Sequence, residues 1–154
     1  QAHVETALAD SGLDPTLLEL EITESIALQP DDNASRALWR LRDRGVRLAY
    51  DDFGTGFASL SLLQRLPVDR VKIDRSFVRD MEGNASDAAI VRSIVLISRN
   101  LELDVTAEGV ETTSQADLLR GLGCHAAQGF LYAPALSPSG FADWLATRGG
   151  IGHG

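Results

Sequence analysis

The sequence predicts an α/β fold, a partial TIM-like (β/α) barrel with about five C-terminal βα units. Five short apolar runs each end in acidic or amide residues, and a helix-like stretch follows each run. The runs are Leu17–Glu24, Val46–Asp52, Arg70–Asp74, Leu103–Glu111 and Gly123–Gly129. The connections are long enough for right-handed crossovers between parallel strands. Polar residues at every strand end favour a barrel mouth over an open doubly wound sheet, whose site lies at one switch point.

Apolar residues alternate along the first predicted strand, Leu17–Thr23, so they share one of its faces. That face carries Leu18, Leu20 and Ile22, whereas the other face carries glutamates. A helix over His3–Ser11 precedes the strand, because apolar residues recur there at helical spacing. This change from helical spacing to a period of two predicts a helix followed by a half-buried strand.

The later elements are predicted by the same spacing, with glycine or proline at their ends. They are helix Ala34–Arg44, strand Val46–Asp52, helix Ala58–Gln64, strand Val71–Asp74, helix Ser86–Asn100, strand Leu103–Ala107, helix Ser114–Leu122 and strand Ala126–Leu131. A last helix begins at Ser137-Pro138, because proline fits the first turn of a helix. We expect Phe141, Trp144 and Leu145 to pack inward from it.

The composition limits the function. The net charge of −8 argues against binding to a nucleic-acid polymer. Cys124 is the single cysteine, so no internal disulfide is possible and a cytoplasmic location is expected. No apolar stretch approaches the roughly 18 residues of a bilayer span, so no membrane contact is expected. The chain begins at Gln1 and is expected to be a piece of a longer protein, because a full barrel needs roughly 250 residues.

Acidic pairs stand at the ends of three predicted strands. Asp51-Asp52 follows an apolar strand, and adjacent carboxylates repel each other unless a cation or a proton lies between them. Glu21 and Glu24 share a Glu-x-x-Glu spacing with Glu108 and Glu111. Each pair has a second interpretation, a solvated turn for the aspartates and helix caps for the glutamates. Taken together, the pairs predict a site for divalent cations at one end of the sheet.

Two further polar residues belong to the same strand ends. Lys72 lies two residues before Asp74 in a short predicted strand, so both are expected on one face. A lysine inside a barrel needs anionic partners to stay charged, although an edge-strand lysine in solvent is the commoner arrangement. Gln128 precedes Gly129 at the last strand end, where it can bond a ligand oxygen or nearby backbone. A ring of carboxylates around one lysine and one glutamine suits a phosphate ester bound with divalent metals.

These motifs closely resemble those of the EAL-domain cyclic di-GMP phosphodiesterases, in the family's order and at similar spacing. The segments that carry the resemblance are Glu21–Glu24, Asp51–Gly56, Val71–Phe77, Ala107–Thr112 and Gln128–Phe130. The resemblance implies a modified (β/α)8 barrel that hydrolyses cyclic di-GMP to linear pGpG with two Mg²⁺ or Mn²⁺ ions. It also implies a homodimer formed through the intact domain. Residues 1–148 are expected to be the C-terminal part of that domain, and 149–154 a flexible tail.

The resemblance assigns roles by position. Glu21 and Asp51 look like ligands of the first ion, with Asp51 bridging to a second ion held by Asp52 and Glu108. Lys72 would hold and polarise the attacking water, so Lys72, Glu108 and Asp51 are the expected catalytic residues. The residues implied in substrate binding or in support of the site are Asp74, Glu24, Glu111, Gln128, Phe53 and Gly54.

Three hypotheses for the function stay open at this point. The family's Glu-Ala-Leu motif and the asparagine of its third strand would lie upstream of Gln1. The parent is an active phosphodiesterase, or it is a non-catalytic cyclic di-GMP receptor, or the chain alone is an inactive fragment with exposed sheet edges. Degenerate members of the family usually lose motif acids, and those expected in this stretch are present, which favours activity.

Overall fold

The computed structural model describes residues 2–23, 32–55 and 60–148. Five parallel strands form a sheet of order β1-β2-β3-β4-β5, which confirms the predicted fold class. The strands are β1 (Glu19–Ile22), β2 (Arg47–Phe53), β3 (Arg70–Ile73), β4 (Asp104–Ala107) and β5 (Ala126–Ala127). The helices are α1 (Ala2–Ser11), α2 (Asp32–Asp43), α3 (Leu60–Leu63), α4 (Arg75–Asp80), α5 (Ala85–Asn100), α6 (Thr113–Leu122) and α7 (Pro138–Arg148). Within these described ranges, no helix combines the length and hydropathy needed to cross a bilayer.

The two faces of the sheet differ in polarity because residues alternate between them and the parallel strands are in register. The helix-facing side is apolar, and its buried residues are Ile22, Leu48, Tyr50, Val71, Ile73, Val105 and Ala107. They form one core with helix residues that include Val91, Val95 and Leu119. The opposite side, which we call the interior face, carries Glu19, Glu21, Asp51, Arg70, Lys72, Asp104 and Thr106. Burial of the apolar side therefore turns the polar side toward the barrel interior.

Arg70 joins three strands at their amino ends. Its guanidinium lies 3.0 Å from a Glu19 oxygen on β1 and 3.3 Å from an Asp104 oxygen on β4. β1 and β3 are not neighbours in the sheet, so this contact reaches across β2 on the interior face. Asp69 fixes the same end, since its carboxylate accepts a hydrogen bond from the Leu48 amide at 3.0 Å. These contacts tie together the amino ends of β1, β2, β3 and β4.

The last predicted strand, Ala126–Leu131, is wrong beyond Ala127, where β5 ends. The chain then packs against the loop after β4, where the Val110 amide donates a hydrogen bond to the Gln128 carbonyl at 3.0 Å. The Leu131 amide in turn donates to the Val110 carbonyl at 3.0 Å. Gly129 packs so closely that a Cβ atom there would lie 2.2 Å from the Val110 oxygen. Close packing between two segments, rather than strand pairing, fixes this turn.

Two features of the helices also differ from expectation. The sequence analysis missed α4, which begins where the Asp74 side chain accepts a hydrogen bond from the Ser76 amide. The inward packing expected of α7 is wrong for Phe141 and Leu145, which are 51% and 48% exposed. Trp144 instead stacks on Phe141, with 6.0 Å between ring centroids. The predicted tail at 149–154 lies outside the described residues.

Replacement of Gly129 by alanine is expected to destabilise the chain by about 2–3 kcal/mol, because the added methyl overlaps the Val110 backbone. The matched control is Gly121→Ala in α6, where an added Cβ would meet nothing within 4 Å. That variant is expected to be more stable than the wild type by about 0.5–1 kcal/mol, the helix preference for alanine. Thermal and urea unfolding measure both changes, and equal stability of the two variants would contradict the packing described.

Candidate cation-binding site at the barrel mouth

The site is built around Lys72, whose side chain is 6% exposed. Its ammonium group lies 2.9 Å from Asp51 Oδ1 and 2.6 Å from Glu108 Oε1. It also donates a short hydrogen bond to Glu21 Oε1. The three carboxylates come from the ends of β1, β2 and β4, which the register of the sheet places around the middle of β3. This confirms that acids far apart in the sequence converge at one end of the sheet.

The ammonium group of Lys72 is kept charged by its neighbours. Burial by itself favours the neutral amine and lowers the pKa of Lys72. Hydrogen bonds from the amine to Glu108, Glu21 and Asp51 outweigh that effect, and the net result is a pKa well above the ordinary lysine value. Lys72 is therefore a cation and a hydrogen-bond donor throughout the physiological pH range.

Lys72 is also the only lysine in the sequence, since every other basic side chain apart from the histidines is arginine. A lysine ammonium is a compact charge with three donors, whereas a guanidinium is a planar fork. Three carboxylates from three strands meet at one point here, which suits the compact group. The centre holds three negative charges and one positive charge, so it retains a net charge of −2.

The same carboxylates fit a divalent metal ion. One oxygen from each of Glu21, Asp51 and Glu108 lies within 4.8 Å of the others, and carboxylate oxygens are the ligands that Mg²⁺ and Mn²⁺ prefer. The net charge of the centre matches a dication. The side chains of Asp51 and Glu108 are only 18% and 16% exposed, but that of Glu21 is 50% exposed, so the centre opens toward β1.

Asp52 and Asp74 form a second acidic pair beside this centre. Asp52 has a positive φ of 51°, which turns it away from the β2 ladder. Its pKa is raised, first by burial and then by the neighbouring charges of Asp51 and Asp74. Burial acts in the same direction on Asp74, but hydrogen bonds from the Ser76 side chain and amide leave its pKa below the usual value. β3 ends at Ile73 and Asp74 caps α4, so Asp74 follows the strand rather than belonging to it.

Gln128 and Glu111 lie on the side of the centre nearest β5. Gln128 Nε2 donates to Glu108 Oε1 at 2.8 Å, so it holds the same oxygen that Lys72 binds. Glu111 is exposed and does not belong to the group of three carboxylates. Its amide donates to Gln115 Oε1 at 2.8 Å, beside the capping box at the start of α6. Gln128 therefore orients a member of the centre, whereas Glu111 lies at its edge.

Two of the remaining predicted site residues, Phe53 and Gly54, have roles in packing. Phe53 is 7% exposed and packs edge-on against Tyr50, with 5.6 Å between ring centroids, so its ring belongs to the core. Gly54 has a φ of 102°, and a Cβ there would lie 2.9 Å from the Phe77 ring. Glu24 lies outside the described residues. The loop after β2 is described only in part.

Thr106 is a neighbour of the centre that the sequence analysis did not select. It is opposite Lys72 in the β3–β4 register and is 5% exposed. Its hydroxyl has no hydrogen-bond partner in the described part of the chain. The signal was available, because Thr106 stands two residues before Glu108 and so shares its face of the strand. Threonine has no charge, and a search for acidic and basic residues passes over it.

The fold and the site define a class of protein, a (β/α)-barrel domain with a carboxylate–lysine centre at the carboxyl ends of its strands. This is where (β/α) barrels place their active sites. The family model for the EAL domain matches residues 1–135. The chain belongs to the EAL domain family.

Several known proteins are similar to this chain. The bifunctional diguanylate cyclase/cyclic di-GMP phosphodiesterase MucR of Pseudomonas aeruginosa is 46% identical over 128 residues, which are 83% of this chain and 19% of MucR. The PaMucR phosphodiesterase in complex with cyclic di-GMP has a TM-score of 0.83 at 43% identity, covering 88% of this chain and 55% of that one. The EAL domain of Mycobacterium smegmatis DcpA has a TM-score of 0.87 at 42% identity, with coverages of 94% and 65%.

A third solved relative holds metal together with the dinucleotide. Klebsiella pneumoniae BlrP1 in a manganese/cyclic di-GMP complex has a TM-score of 0.78 at 37% identity, covering 86% of this chain and 34% of that one. The same protein is also known in a calcium/cyclic di-GMP complex. The chain spans less than a quarter of the length of the curated relatives it matches.

Replacement of Lys72 by methionine is expected to destabilise the chain by about 3 kcal/mol at neutral pH, because three carboxylates lose their shared cation. Added Mn²⁺ is expected to restore more stability to this variant than to the wild type, since it replaces the missing charge. Thermal unfolding with EDTA and with Mn²⁺ measures both effects. The control is Arg92→Met, an exposed cation on α5, which should change neither value. An unchanged response to Mn²⁺ would contradict the charge balance assigned to the centre.

Proposed function

We propose that the domain carried by this chain is a metal-dependent phosphodiesterase that hydrolyses cyclic di-GMP to linear pGpG. The observation that carries the proposal is the convergence of Glu21, Asp51 and Glu108 on Lys72 at the barrel mouth. The cyclic di-GMP complexes of the PaMucR phosphodiesterase and of BlrP1 support the choice of substrate. The BlrP1 complexes with manganese and calcium support the dependence on metal.

The residues that would hold metal are the acids of the centre and its neighbour. Glu21 and Asp51 would hold one Mg²⁺ or Mn²⁺ ion, and Asp52 and Glu108 a second, with Asp74 in support. When bound, divalent cations neutralise charge on phosphate oxygens and lower the pKa of water. The raised pKa of Asp52 means that it gives up its proton at higher pH than an ordinary aspartate, so loading of the second position should weaken on acidification.

In the proposed reaction, the side chains of Lys72, the carboxylates and Gln128 have different roles. Because the pKa of Lys72 is raised, its ammonium donates hydrogen bonds and cannot accept a proton near neutral pH. Lys72 therefore holds and polarises the attacking water, and a carboxylate must receive the proton that the water loses. Glu108 and Asp51 contact the Lys72 ammonium and are less exposed than Glu21, the third carboxylate in contact with it. Gln128 keeps Glu108 oriented toward that position, and Glu111 extends the polar wall toward the substrate.

We also propose the setting in which the domain acts. Residues 1–148 form the C-terminal part of an EAL domain, and the intact domain pairs as a homodimer. A cytoplasmic location is supported by Cys124, the single cysteine of the sequence, which is a free thiol. The acidic balance of the chain supports a dinucleotide, rather than a nucleic-acid polymer, as the ligand.

Replacement of Asp51 by asparagine in the protein that carries this chain is expected to lower kcat for cyclic di-GMP by at least about 100-fold. The change removes one negative charge from the buried centre and keeps the size of the side chain. Release of pGpG with Mn²⁺, followed by chromatography, measures the loss. The control is Asp117→Asn on α6, whose exposed carboxylate pairs with Arg120.

The wild-type result also separates the two functional hypotheses. Hydrolysis by the wild type and by Asp117→Asn, but not by Asp51→Asn, supports the phosphodiesterase. Tight binding of cyclic di-GMP by the wild type without any release of pGpG would identify a receptor. Near-normal turnover by Asp51→Asn would show that the assignment of the centre is wrong.

A further inference from the structure

A cavity of about 310 Å³ adjoins the carboxylate–lysine centre on the side of β5. Its wall includes Arg75, Glu108, Glu111, Gln128 and Phe130. Glu108 and Gln128 also belong to the centre, where they are hydrogen-bonded to each other. A ligand group held in this cavity would therefore lie directly beside a phosphate bound at the centre.

Arg75 is the cationic residue in this wall, and its stem is tightly placed. Gly109 has a φ of 67°, and a Cβ there would lie 2.6 Å from Arg75 Cβ. The aliphatic part of the Arg75 side chain thus packs against the backbone of Gly109, the residue after Glu108. In the described part of the chain the Arg75 guanidinium has no ion-pair or hydrogen-bond partner, whereas Arg79, one turn later in α4, is paired with Asp80 at 2.8 Å. The Arg75 guanidinium can therefore donate hydrogen bonds to a ligand in the cavity.

Phe130 supplies the second element of the cavity. The residue is 73% exposed, the largest exposure among the aromatic residues described. The turn that carries it is held firmly, because Gly129 packs on Val110 and the Leu131 amide bonds the Val110 carbonyl at 3.0 Å. A flat apolar ring beside an unpaired arginine fork suits a planar ligand that stacks on the ring and has acceptors along one edge.

We propose that Arg75 determines base specificity, by donating two hydrogen bonds to O6 and N7 of a guanine that stacks on Phe130. This rests on the proposed function. Guanine presents two adjacent acceptors on that edge, whereas adenine presents N7 beside an amino donor that would face the guanidinium. A phosphate fits the cavity less well, because Glu108 and Glu111 add negative charge to its wall. A neutral base with acceptors toward Arg75 avoids that repulsion.

The test compares three cyclic dinucleotides with the protein that carries this chain. Cyclic di-IMP keeps the O6 and N7 acceptors of guanine, whereas cyclic di-AMP lacks O6. Arg75→Ala is expected to raise KM for cyclic di-GMP roughly tenfold, with kcat nearly unchanged, as for the loss of one bidentate base contact. Cyclic di-IMP should lose the same factor. Cyclic di-AMP, measured as a competitor, should lose less than twofold. Arg79→Ala in the same helix is the control and should change none of these values.

The outcomes separate this inference from the proposed function. A tenfold loss confined to cyclic di-GMP and cyclic di-IMP supports the assignment of Arg75. Equal losses for all three compounds would indicate a contact with phosphate, and no loss for any would leave Arg75 without a role. Either of these results overturns the inference while hydrolysis by the wild type keeps the function intact. Failure of the wild type to bind or hydrolyse cyclic di-GMP would overturn the function itself.

Discussion

The ion cluster of Lys72 with Glu21, Asp51 and Glu108 is the constraint on which the rest of the structure depends. It links β3 to β1, β2 and β4, so it joins four strands near their carboxyl ends. A slip of one residue in any of these strands would turn its carboxylate onto the apolar side and bring an apolar residue inside. Transfer of these charged groups out of water costs free energy. The cluster therefore contributes more to fixing the strand register than to the stability of the fold. Arg70 forms a similar ion cluster with Glu19 and Asp104, near the amino ends of the same strands.

Much of this architecture could be predicted because it follows from local rules. Alternation of apolar and polar residues identified the strands, and parallel connections placed their carboxyl ends together. Those two rules suffice to bring Glu21, Asp51 and Glu108 to one place, and the structure agrees. The sequence left two positions open for Lys72, a barrel interior or an edge strand in solvent, and the structure shows it buried. Which carboxylate contacts it, and at what distance, depends on strand stagger and sheet curvature that no local pattern encodes.

The features that could not be predicted depend on contacts between distant segments. β5 ends early because Gly129 meets the Val110 backbone, about twenty residues away in sequence. Phe141 has the spacing of a buried residue, but spacing does not reveal whether a facing surface exists. In each case the local signal was real, and a tertiary contact or its absence decided the outcome.

The presence of a single lysine has a consequence for covalent chemistry. An acetyl or carbamoyl group on its nitrogen would convert the one compact cation of the centre into a neutral amide. No other lysine side chain in this sequence competes for such reagents, so the acylation state of the lysine side chains reports on the centre alone. The low exposure and raised pKa of Lys72 imply that acylation requires an open form in which the carboxylates have moved apart and the amine has lost its proton. The rate of that modification would therefore report the population of this open form.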